Sequence, residues 1–413
     1  MRLEFLKTAA VLGLLTAIGP FAIDMYLPAL PSIGASLHAS SGATQASLMV
    51  FFLMMGLGQL VYGPASDIFG RKAPLYFGLS MFAIGSIGCA LAANVETLIA
   101  FRVVQGIGAC AGMVISRAVV RDLHTGPDAV QMMSLLMLVF SVSPILAPLA
   151  GSLVIAWTSW RGIFWTVLVA ALIGLVLLRL FLPETRHRHL RAGSTIRGAL
   201  GAYRELLRDP TFLGLSFTGA FGVSSFFAYL STSSFILIEH YGLTPTQYSF
   251  FFSINAAAFI GAAQFNGALA RRFGMRGLVR FAVTGYIVAI ASLFALYLAG
   301  VDNLTVLAVL LFIGYAFLGM VIPNITVLAL EEHGAIAGTA SALMGTLQFV
   351  TGAIVMTIVG RFLNGTAMPM VAGIAVCALI TFVLAQIAVR RSAPVHVADE
   401  SVQREGDLDI SSD

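Results

Sequence analysis

The sequence predicts an all-α membrane protein of twelve transmembrane helices, arranged as two pseudo-symmetric bundles of six. Its 413 residues are 59% hydrophobic and only 10% charged, with a mean hydropathy of +0.94, whereas about a quarter of the residues in a soluble domain are charged. The apolar runs are long and continuous, unlike the short alternating segments of a β-barrel. A polar linker and a repeated loop divide the chain into two halves. This composition excludes a secreted enzyme, a nucleic-acid binder and a disordered scaffold.

Each apolar window is long enough to cross a bilayer, which takes about 20 helical residues. The first six predicted spans are 8–31, 44–65, 73–93, 97–119, 129–156 and 161–182. The second six are 211–238, 246–269, 278–300, 303–329, 335–361 and 368–389. The predicted domains are an N-terminal bundle at 1–182, a basic linker at 183–210, a C-terminal bundle at 211–390 and a disordered tail at 391–413. Asp209 and Pro210 form an N-cap and first-turn proline that start the seventh span.

The distribution of basic residues predicts the orientation. If the N-terminus is cytoplasmic, 18 of the 23 Lys and Arg residues lie on the inner side and two at outer ends. The positive-inside rule then places both termini and the linker, including Arg188 and His189, in the cytoplasm. The apolar run after Lys7 is too long for a signal-peptide core, so we expect a retained first helix. Three single cysteines inside apolar stretches are expected to be packing residues.

A short loop occurs twice, at equivalent places in the two halves. GPASDIFGRK at 63–72 follows the second span, and GALARRFGMR at 267–276 follows the eighth. Glycine, phenylalanine and glycine recur at matching positions, and both loops end on a basic residue. The match predicts two parallel six-helix repeats. Only the first loop contains an acid, Asp67, because Arg271 occupies the equivalent position in the second.

Several motifs resemble those of the major facilitator superfamily. GPASDIFGRKAPL at 63–75 resembles its loop signature, and LIAFRVVQGIGA at 98–109 resembles its signature in the fourth span. SPILAPLAGS at 143–152 is similar to the antiporter signature through Pro148 and Gly151, although Ala147 and Ser152 depart from it. AIDMYLPALP at 22–31 and RAVVRDL at 117–123 resemble the Bcr/CflA group of multidrug–proton antiporters. The resemblance implies two bundles around a central cavity that opens alternately to each side.

The same resemblance implies a conformational gate. Its predicted residues are Gly63, Asp67, Gly70, Arg71, Lys72, Pro148 and Gly151. Asp67 can accept hydrogen bonds from Arg71 or cap an adjacent helix, while Gly63 and Gly70 permit close approach and tight turning. The family loop latches the halves in the outward-open state, whereas a solvated turn is the structural alternative. The two residues of the fifth span bend the helix and allow close packing, which also explains them without a gate.

Asp24 is the one acid well within a predicted span. A charge at the bilayer centre costs about 2.5–3.5 kcal/mol on insertion scales, so an intramembrane acid is a functional candidate. Asp24 and Arg102, in the fourth span, each lie roughly 8–10 Å below the outer surface and meet if both face the cavity. We therefore predict that Asp24 carries the proton and Arg102 is its partner. Alternatively, Asp24 binds N–H groups freed near Pro20 and Pro28, and Arg102 snorkels outward.

Polar and aromatic side chains within the spans are candidates for substrate binding. They are Tyr26, Arg117, Phe226, Tyr229, Asn255, Asn324 and Gln348. Helix–helix packing explains most of them equally well, and Arg117 either attracts anionic groups or snorkels inward. With one buried acid against two arginines, we expect neutral, zwitterionic or weakly charged substrates rather than dications.

These observations predict a proton-coupled exporter of small amphipathic molecules, including drugs, at a bacterial inner membrane. A specific metabolite exporter or a proton-coupled uptake symporter of the same fold remains open. The sequence contains no HExxH motif, nucleotide-binding loop or metal-like cluster, so we predict no enzyme activity, cofactor or metal. Two unlike halves favour a carrier over a channel. The expected partners are a small-molecule substrate, protons and the bilayer, with no nucleic acid, and the chain is expected to be monomeric.

Overall fold

Long helices account for almost all of the computed structural model, which describes residues 2–187, 191, 195–331 and 333–391. The helices of the first half are α1 (Arg2–Asp24), α2 (Leu30–Ser36), α3 (Ser41–Phe69), α4 (Lys72–Ala90), α5 (Val95–Leu123), α6 (Gly126–Trp157) and α7 (Trp160–Phe181). The linker contains α8 (Ile196–Leu206). The second half comprises α9 (Pro210–Ser234), α10 (Pro245–Gln264), α11 (Asn266–Phe273), α12 (Met275–Leu298), α13 (Leu304–Glu331), α14 (Ala337–Arg361) and α15 (Met368–Arg391).

Within the described residues, eleven helices are long and apolar enough to cross a membrane, and the bent pair α10–α11 gives a twelfth. The predicted all-α fold with six spans on each side of the linker is therefore confirmed. The domain limits stay predictions. Arg188, His189 and all of the predicted disordered tail except Arg391 lie outside the described residues.

Three predicted spans are less regular than their hydropathy suggests. The first span breaks after Asp24 into a short 3₁₀ turn, Leu27–Ala29, before α2 begins. The seventh continues beyond Ser234 as a π-helical segment, Phe235–His240. The eighth bends by 44° between α10 and α11, where the buried amide of Asn266 donates to the carbonyl of Gly319 at 3.2 Å. A buried amide needs such a partner, and hydropathy carries no information about it.

Local capping agrees with the sequence at the start of the second half. The carboxylate of Asp209 accepts a hydrogen bond from the backbone N–H of Thr211 at 2.7 Å, and Pro210 occupies the first turn of α9. The predicted N-cap is therefore confirmed. The repeated loops also have matching backbones, since Gly70 and Gly274 have φ angles of 92° and 73° directly after a helix that ends in phenylalanine.

The halves meet along two seams, with α3 against α14 and α6 against α10. We call the side of the bundle that carries Gly70 and Gly274 the linker side, and the opposite side the outer side. In the outer half of the first seam, Gln45 Nε2 donates to the carbonyl of Ser231, in α9, at 2.9 Å. Near the middle, Thr346 Oγ1 donates to the carbonyl of Gly56 at 2.8 Å. The halves are thus joined from the outer side to mid-membrane along this seam.

Candidate functional site

Asp24 is the last residue of α1 and is 5% exposed. It comes directly before the break in the first span, so its side chain lies where helical hydrogen bonding stops. The hydroxyl of Ser143, in α6, donates to Asp24 Oδ2 at 3.3 Å. Ser143 is itself fully buried and precedes Pro144 within α6. The carboxyl group therefore lies between two proline-containing helices, with one neutral hydroxyl as its described partner.

Arg102 is fully buried in α5. Its Nη1 donates to Gln105 Oε1 at 2.6 Å and to the carbonyl of Ala22 at 3.4 Å. The guanidinium carbon lies 4.6 Å from the ring centroid of Tyr26 and 4.1 Å from that of Phe51. Cation–π contacts of this kind stabilise a desolvated cation by about 2 kcal/mol. Arg102 is thus held by rings and neutral oxygens.

Asp24 and Arg102 lie near each other in the structure, but their side chains do not pair. Arg102 reaches the carbonyl of Ala22, two residues before Asp24, while the carboxylate turns to Ser143. Within the described chain no ion pair joins the two side chains. The predicted meeting of the two charges does not occur in this conformation. The physical reason is that α1 ends at Asp24, so its side chain is directed to α6, whereas the guanidinium contacts α3, through the carbonyl of Ser47 and the ring of Phe51, and the chain around the end of α1.

Neutral groups extend the Arg102 site. Gln105 Nε2 donates to the hydroxyl of Ser86 at 2.8 Å, which continues the network into α4. The hydroxyls of Tyr26 and Ser47 lie 2.7 Å apart. Arg102 Nη2 is buried and has no hydrogen-bond partner among the described atoms. Tyr26, predicted as a substrate residue, is fully buried and packs on the guanidinium in this structure.

The second half contains a cluster of aromatic rings around α9. Tyr229 stacks on Phe252 with centroids 5.6 Å apart and planes inclined by 7°, and Phe226 meets Tyr315 edge to face at 5.3 Å. Asn255 Nδ2 donates to the Tyr229 hydroxyl at 3.4 Å, whereas Asn255 Oδ1 is buried without a described partner. The sequence identified three of these residues. It missed Phe252 and Tyr315, because a single ring within an apolar span has no local pattern that distinguishes it from other packing residues.

The remaining predicted substrate residues fall into two groups. Asn324 donates to Asn266 Oδ1 at 3.0 Å and so joins α13 to α11, which is a helix–helix contact. Gln348 and Arg117 are partly exposed. Arg117 Nε has no hydrogen-bond partner among the described atoms. These two side chains retain capacity to bind a polar ligand, whereas the amide of Asn324 is occupied.

Arg71 is the centre of an ionic cluster on the linker side, although only 3% of its surface is exposed. Its Nη1 donates to Asp67 Oδ1 at 2.7 Å, as the spacing predicts. Its Nε and Nη2 form a bidentate pair with Asp122, at the end of α5, at 2.8 and 3.1 Å. Burial alone lowers the pKa of Arg71, but the hydrogen bonds and charges of Asp122 and Asp67 outweigh it and raise the pKa above its ordinary value.

Glu184 caps α4, a role that the sequence analysis considered for Asp67. Its Oε1 accepts from the backbone N–H of Arg71 at 2.8 Å, and its Oε2 accepts from the N–H of Lys72 at 3.1 Å. A carboxylate at a helix N-terminus also complements the helix dipole. Glu184 lies 112 residues beyond the N–H of Lys72, so local sequence spacing could not identify it. Asp122 belongs to the RAVVRDL motif and was visible in the sequence, but its pairing with Arg71 was not.

The two glycines of this loop behave differently. Gly70 has a φ of 92°, so the backbone conformation there favours glycine, and a Cβ would lie 2.6 Å from Glu184 Oε2, which would have to move. At Gly63 no described atom lies within 4 Å of a Cβ position. The space beside Gly63 is open in this conformation, so the close approach expected there stays a prediction. The described contacts of Asp67 stay within the first half and the segment after it, so a latch between the halves remains a prediction.

The fifth span packs closely at its outer end. A Cβ on Gly151 would lie 2.2 Å from the carbonyl oxygen of Met25, so only glycine fits. The carbonyl of Pro148 accepts from the hydroxyl of Ser249 at 2.9 Å, and the carbonyl of Ile145 accepts from that of Ser253 at 2.7 Å. Both serines belong to α10. This seam therefore joins the halves through hydroxyls and backbone carbonyls, and sequence analysis had assigned no role to the two serines.

Comparisons with known proteins show which family and which relatives this chain is similar to. A profile of the Major Facilitator Superfamily matches residues 12–356. The chain is 37% identical over 379 residues to an uncharacterized MFS-type transporter, YdgK, of Bacillus subtilis, covering 91% of this chain and 94% of the relative. It is 30% identical over 378 residues to a bicyclomycin resistance protein homolog of Haemophilus influenzae, covering 90% and 93%.

A solved structure of a D-xylose–proton symporter has the same fold. It superimposes with a TM-score of 0.72 over 94% of this chain and 98% of the other, at 16% sequence identity. At this identity the match supports the arrangement of helices and leaves the substrate undetermined.

Proposed function

Because the chain belongs to the Major Facilitator Superfamily, we propose that it exports small amphipathic molecules, antibiotics among them, in exchange for protons. Membership makes it a multi-pass membrane transport protein. The similarity to a bicyclomycin resistance protein homolog over 90% of the chain supports the substrate class. Inward movement of one proton supplies about 2.3 kcal/mol per 100 mV of membrane potential, in addition to any pH difference. That free energy drives export.

The environment of Asp24 is the observation that carries the proton step. A charged carboxylate is costly to bury without a counter-charge, and the described partner of Asp24 is the neutral hydroxyl of Ser143. This occluded site therefore suits the protonated acid. A conformation that admits water, or that brings the guanidinium of Arg102 to the acid, stabilises the carboxylate and releases the proton. Arg102 is the positioning partner, poised at the carbonyl of Ala22.

Alternating access uses the two sides of the bundle differently. On the outer side, hydroxyls and an amide bind backbone carbonyls across the seams. On the linker side, the predicted gate residues Asp67 and Arg71 form an ionic cluster. Substrate enters from the linker side, while the aromatic cluster around Tyr229, with Gln348 and Arg117 beside the path, supplies apolar and polar contacts. The transporter is a monomer in a bacterial inner membrane with both termini in the cytoplasm.

Transport in proteoliposomes tests this function. Purified protein is reconstituted into the membrane of vesicles with an acidic interior. Uptake of bicyclomycin from an alkaline exterior is then measured. Because antiport exchanges internal protons for external substrate, uptake should exceed that of vesicles without a pH difference. A neutral or zwitterionic drug should compete, whereas a lipophilic dication should not.

Asp24→Asn is the decisive variant, and Asp128→Asn, at the exposed start of α6, is its matched control. We expect the first to abolish the response to the pH gradient while substrate counterflow, which needs no net proton movement, continues. The control should behave as wild type. Gradient-driven uptake that survives in Asp24→Asn refutes the proton role, and uptake driven by the opposite gradient identifies a symporter.

A further inference from the structure

The linker helix α8 and its C-cap residue carry an apolar strip that no other part of the described chain covers. Ile196, Leu200 and Leu207 are 66%, 61% and 52% exposed. At about 100° per helical residue, these three positions lie within about 40° of one another. A helix exposed to water usually lacks an apolar strip or packs it against another surface. We therefore expect another molecule to cover this strip.

Contacts with both halves fix which face of α8 points outward. Leu206 is fully buried, and the hydroxyl of Tyr203 lies 3.4 Å from the carbonyl of Leu60 in α3. The same helix packs on α14 of the second half. Burial raises the pKa of the Tyr203 hydroxyl, in agreement with its position against α3. On the same projection Tyr203 and Leu206 lie about 20° and 80° from Ile196, on one side of the strip. The apolar strip therefore borders the face that packs on the bundle and is not covered by it.

Three arginines border the strip on its other side. Arg197 and Arg204, within α8, and Arg208, just beyond it, lie within about 40° of one another on a helical projection. All three are exposed, and none forms an ion pair in the described chain. An apolar strip flanked by arginines is the arrangement of helices that lie in a membrane interface, with apolar side chains among acyl chains and cations at phosphates.

The strip continues the lipid-facing surface of the bundle. Leu57 and Val61, on either side of Leu60, are 43% and 64% exposed and belong to a membrane-spanning helix. The residue that Tyr203 contacts therefore lies on the surface that acyl chains cover. The occupant is accordingly a bilayer lipid and not a soluble protein.

We propose that α8 is an interfacial helix whose apolar strip, Ile196, Leu200 and Leu207, inserts among acyl chains while Arg197, Arg204 and Arg208 bind the phosphates of anionic phospholipids. Since α8 contacts both α3 and α14, such a lipid binds the linker helix that joins the two halves of the transporter. The site goes beyond transport itself and is independent of the substrate and of the coupling ion.

Quenching by brominated lipids tests the site. Leu200→Trp is introduced into protein whose three native tryptophans are replaced by phenylalanine. The protein is reconstituted in mixed vesicles of phosphatidylcholine and phosphatidylglycerol in which one or the other lipid is brominated. We expect quenching by both lipids and a preference of at least about fivefold for phosphatidylglycerol at low salt, the ratio expected from one basic residue at an anionic surface. High salt should remove the preference.

Charge-matched variants identify the arginines. Replacing Arg197, Arg204 and Arg208 by Gln should bring the preference close to one and leave quenching by phosphatidylcholine intact. Replacing Arg271, Arg272 and Arg280 by Gln removes three exposed positive charges elsewhere and should change nothing. An equal loss in both triple variants, or equal quenching by the two lipids in the parent, overturns the anionic site.

Spin labelling answers the same question if the tryptophan-free protein does not fold. The three native cysteines are buried, so a nitroxide attaches selectively to Leu200→Cys or, on the opposite face, Glu205→Cys. Collisions with oxygen should exceed those with a water-soluble nickel complex at position 200, and the order should reverse at position 205. A nitroxide at position 200 that meets mainly the nickel complex refutes interfacial insertion.

Discussion

The serines of α10 provide a quantitative test of how the outer side closes. The hydroxyl of Ser253 donates to the carbonyl of Ile145 across the seam between the halves at 2.7 Å, and the hydroxyl of Ser249 shares its one proton between the carbonyl of Pro148 across the seam, at 2.9 Å, and that of Pro245 in its own helix, at 2.8 Å. Interhelical hydrogen bonds in membrane proteins contribute on average about 0.6 kcal/mol each. Removing both in Ser249→Ala/Ser253→Ala therefore costs the closed state about 0.6–1.2 kcal/mol, and we expect the ratio of outer-open to outer-closed protein to rise about threefold to eightfold.

Double electron–electron resonance measures that ratio. Nitroxides at Ala93→Cys and Val301→Cys lie in exposed loops on the outer side, one in each half, and separation of the halves lengthens the distance between them. Ser224→Ala/Ser292→Ala is the control, because those hydroxyls bond to carbonyls of their own helices. An unchanged distance distribution in the α10 variant, or an equal change in the control, refutes the assignment of these hydroxyls to closure.

Three further predictions concern single positions. Gly151→Val should lower the free energy of unfolding by about 1–3 kcal/mol in detergent, because its Cβ would overlap the carbonyl of Met25; an unchanged Tm contradicts this. Arg71→Gln should cost about 1.5–3 kcal/mol through lost charge-assisted hydrogen bonds, with Asp122→Asn added to it costing little more in a double-mutant cycle. Burial raises the pKa of Asp302, but hydrogen bonds from Tyr241 and His240 outweigh it and leave the pKa below its ordinary value. The difference in stability between wild type and Asp302→Asn should therefore be present above about pH 4 and shrink below it. A difference in stability that grows on acidification refutes the direction of this pKa shift.

Much of the fold could be predicted from the sequence because hydropathy reports directly on what the bilayer requires. Twelve apolar windows, the basic linker and the N-cap at Asp209 all follow from single-residue properties and short spacings. The bend between α10 and α11 could not be predicted in this way. At this bend the amide of Asn266 donates to the carbonyl of Gly319, 53 residues away, and hydropathy does not encode such a contact.

For the candidate site, the sequence identified residues that are unusual within a membrane span but not the groups that they contact. A lone intramembrane acid and a motif arginine were visible, but their separation in this structure depends on where α1 ends and on Ser143 in a neighbouring helix. Glu184 shows the same limit, since its carboxylate caps α4 from beyond the sixth span. Pairings over more than 100 residues depend on tertiary packing.

The contrast between the two sides of the bundle explains why closure can be reversible. On the outer side the halves share neutral hydrogen bonds to carbonyls, each contributing well below 1 kcal/mol, so separating them exposes no unpaired charge. On the linker side, Arg71 satisfies Asp67 and Asp122 within the first half, and that cluster survives while the halves move apart. Strong charge pairs therefore stabilise the linker side of the first half, and weak neutral hydrogen bonds join the two halves. Under the proposed proton antiport, the inward movement of one proton supplies about 2.3 kcal/mol per 100 mV, which exceeds the roughly 1.2 kcal/mol that two such neutral bonds contribute.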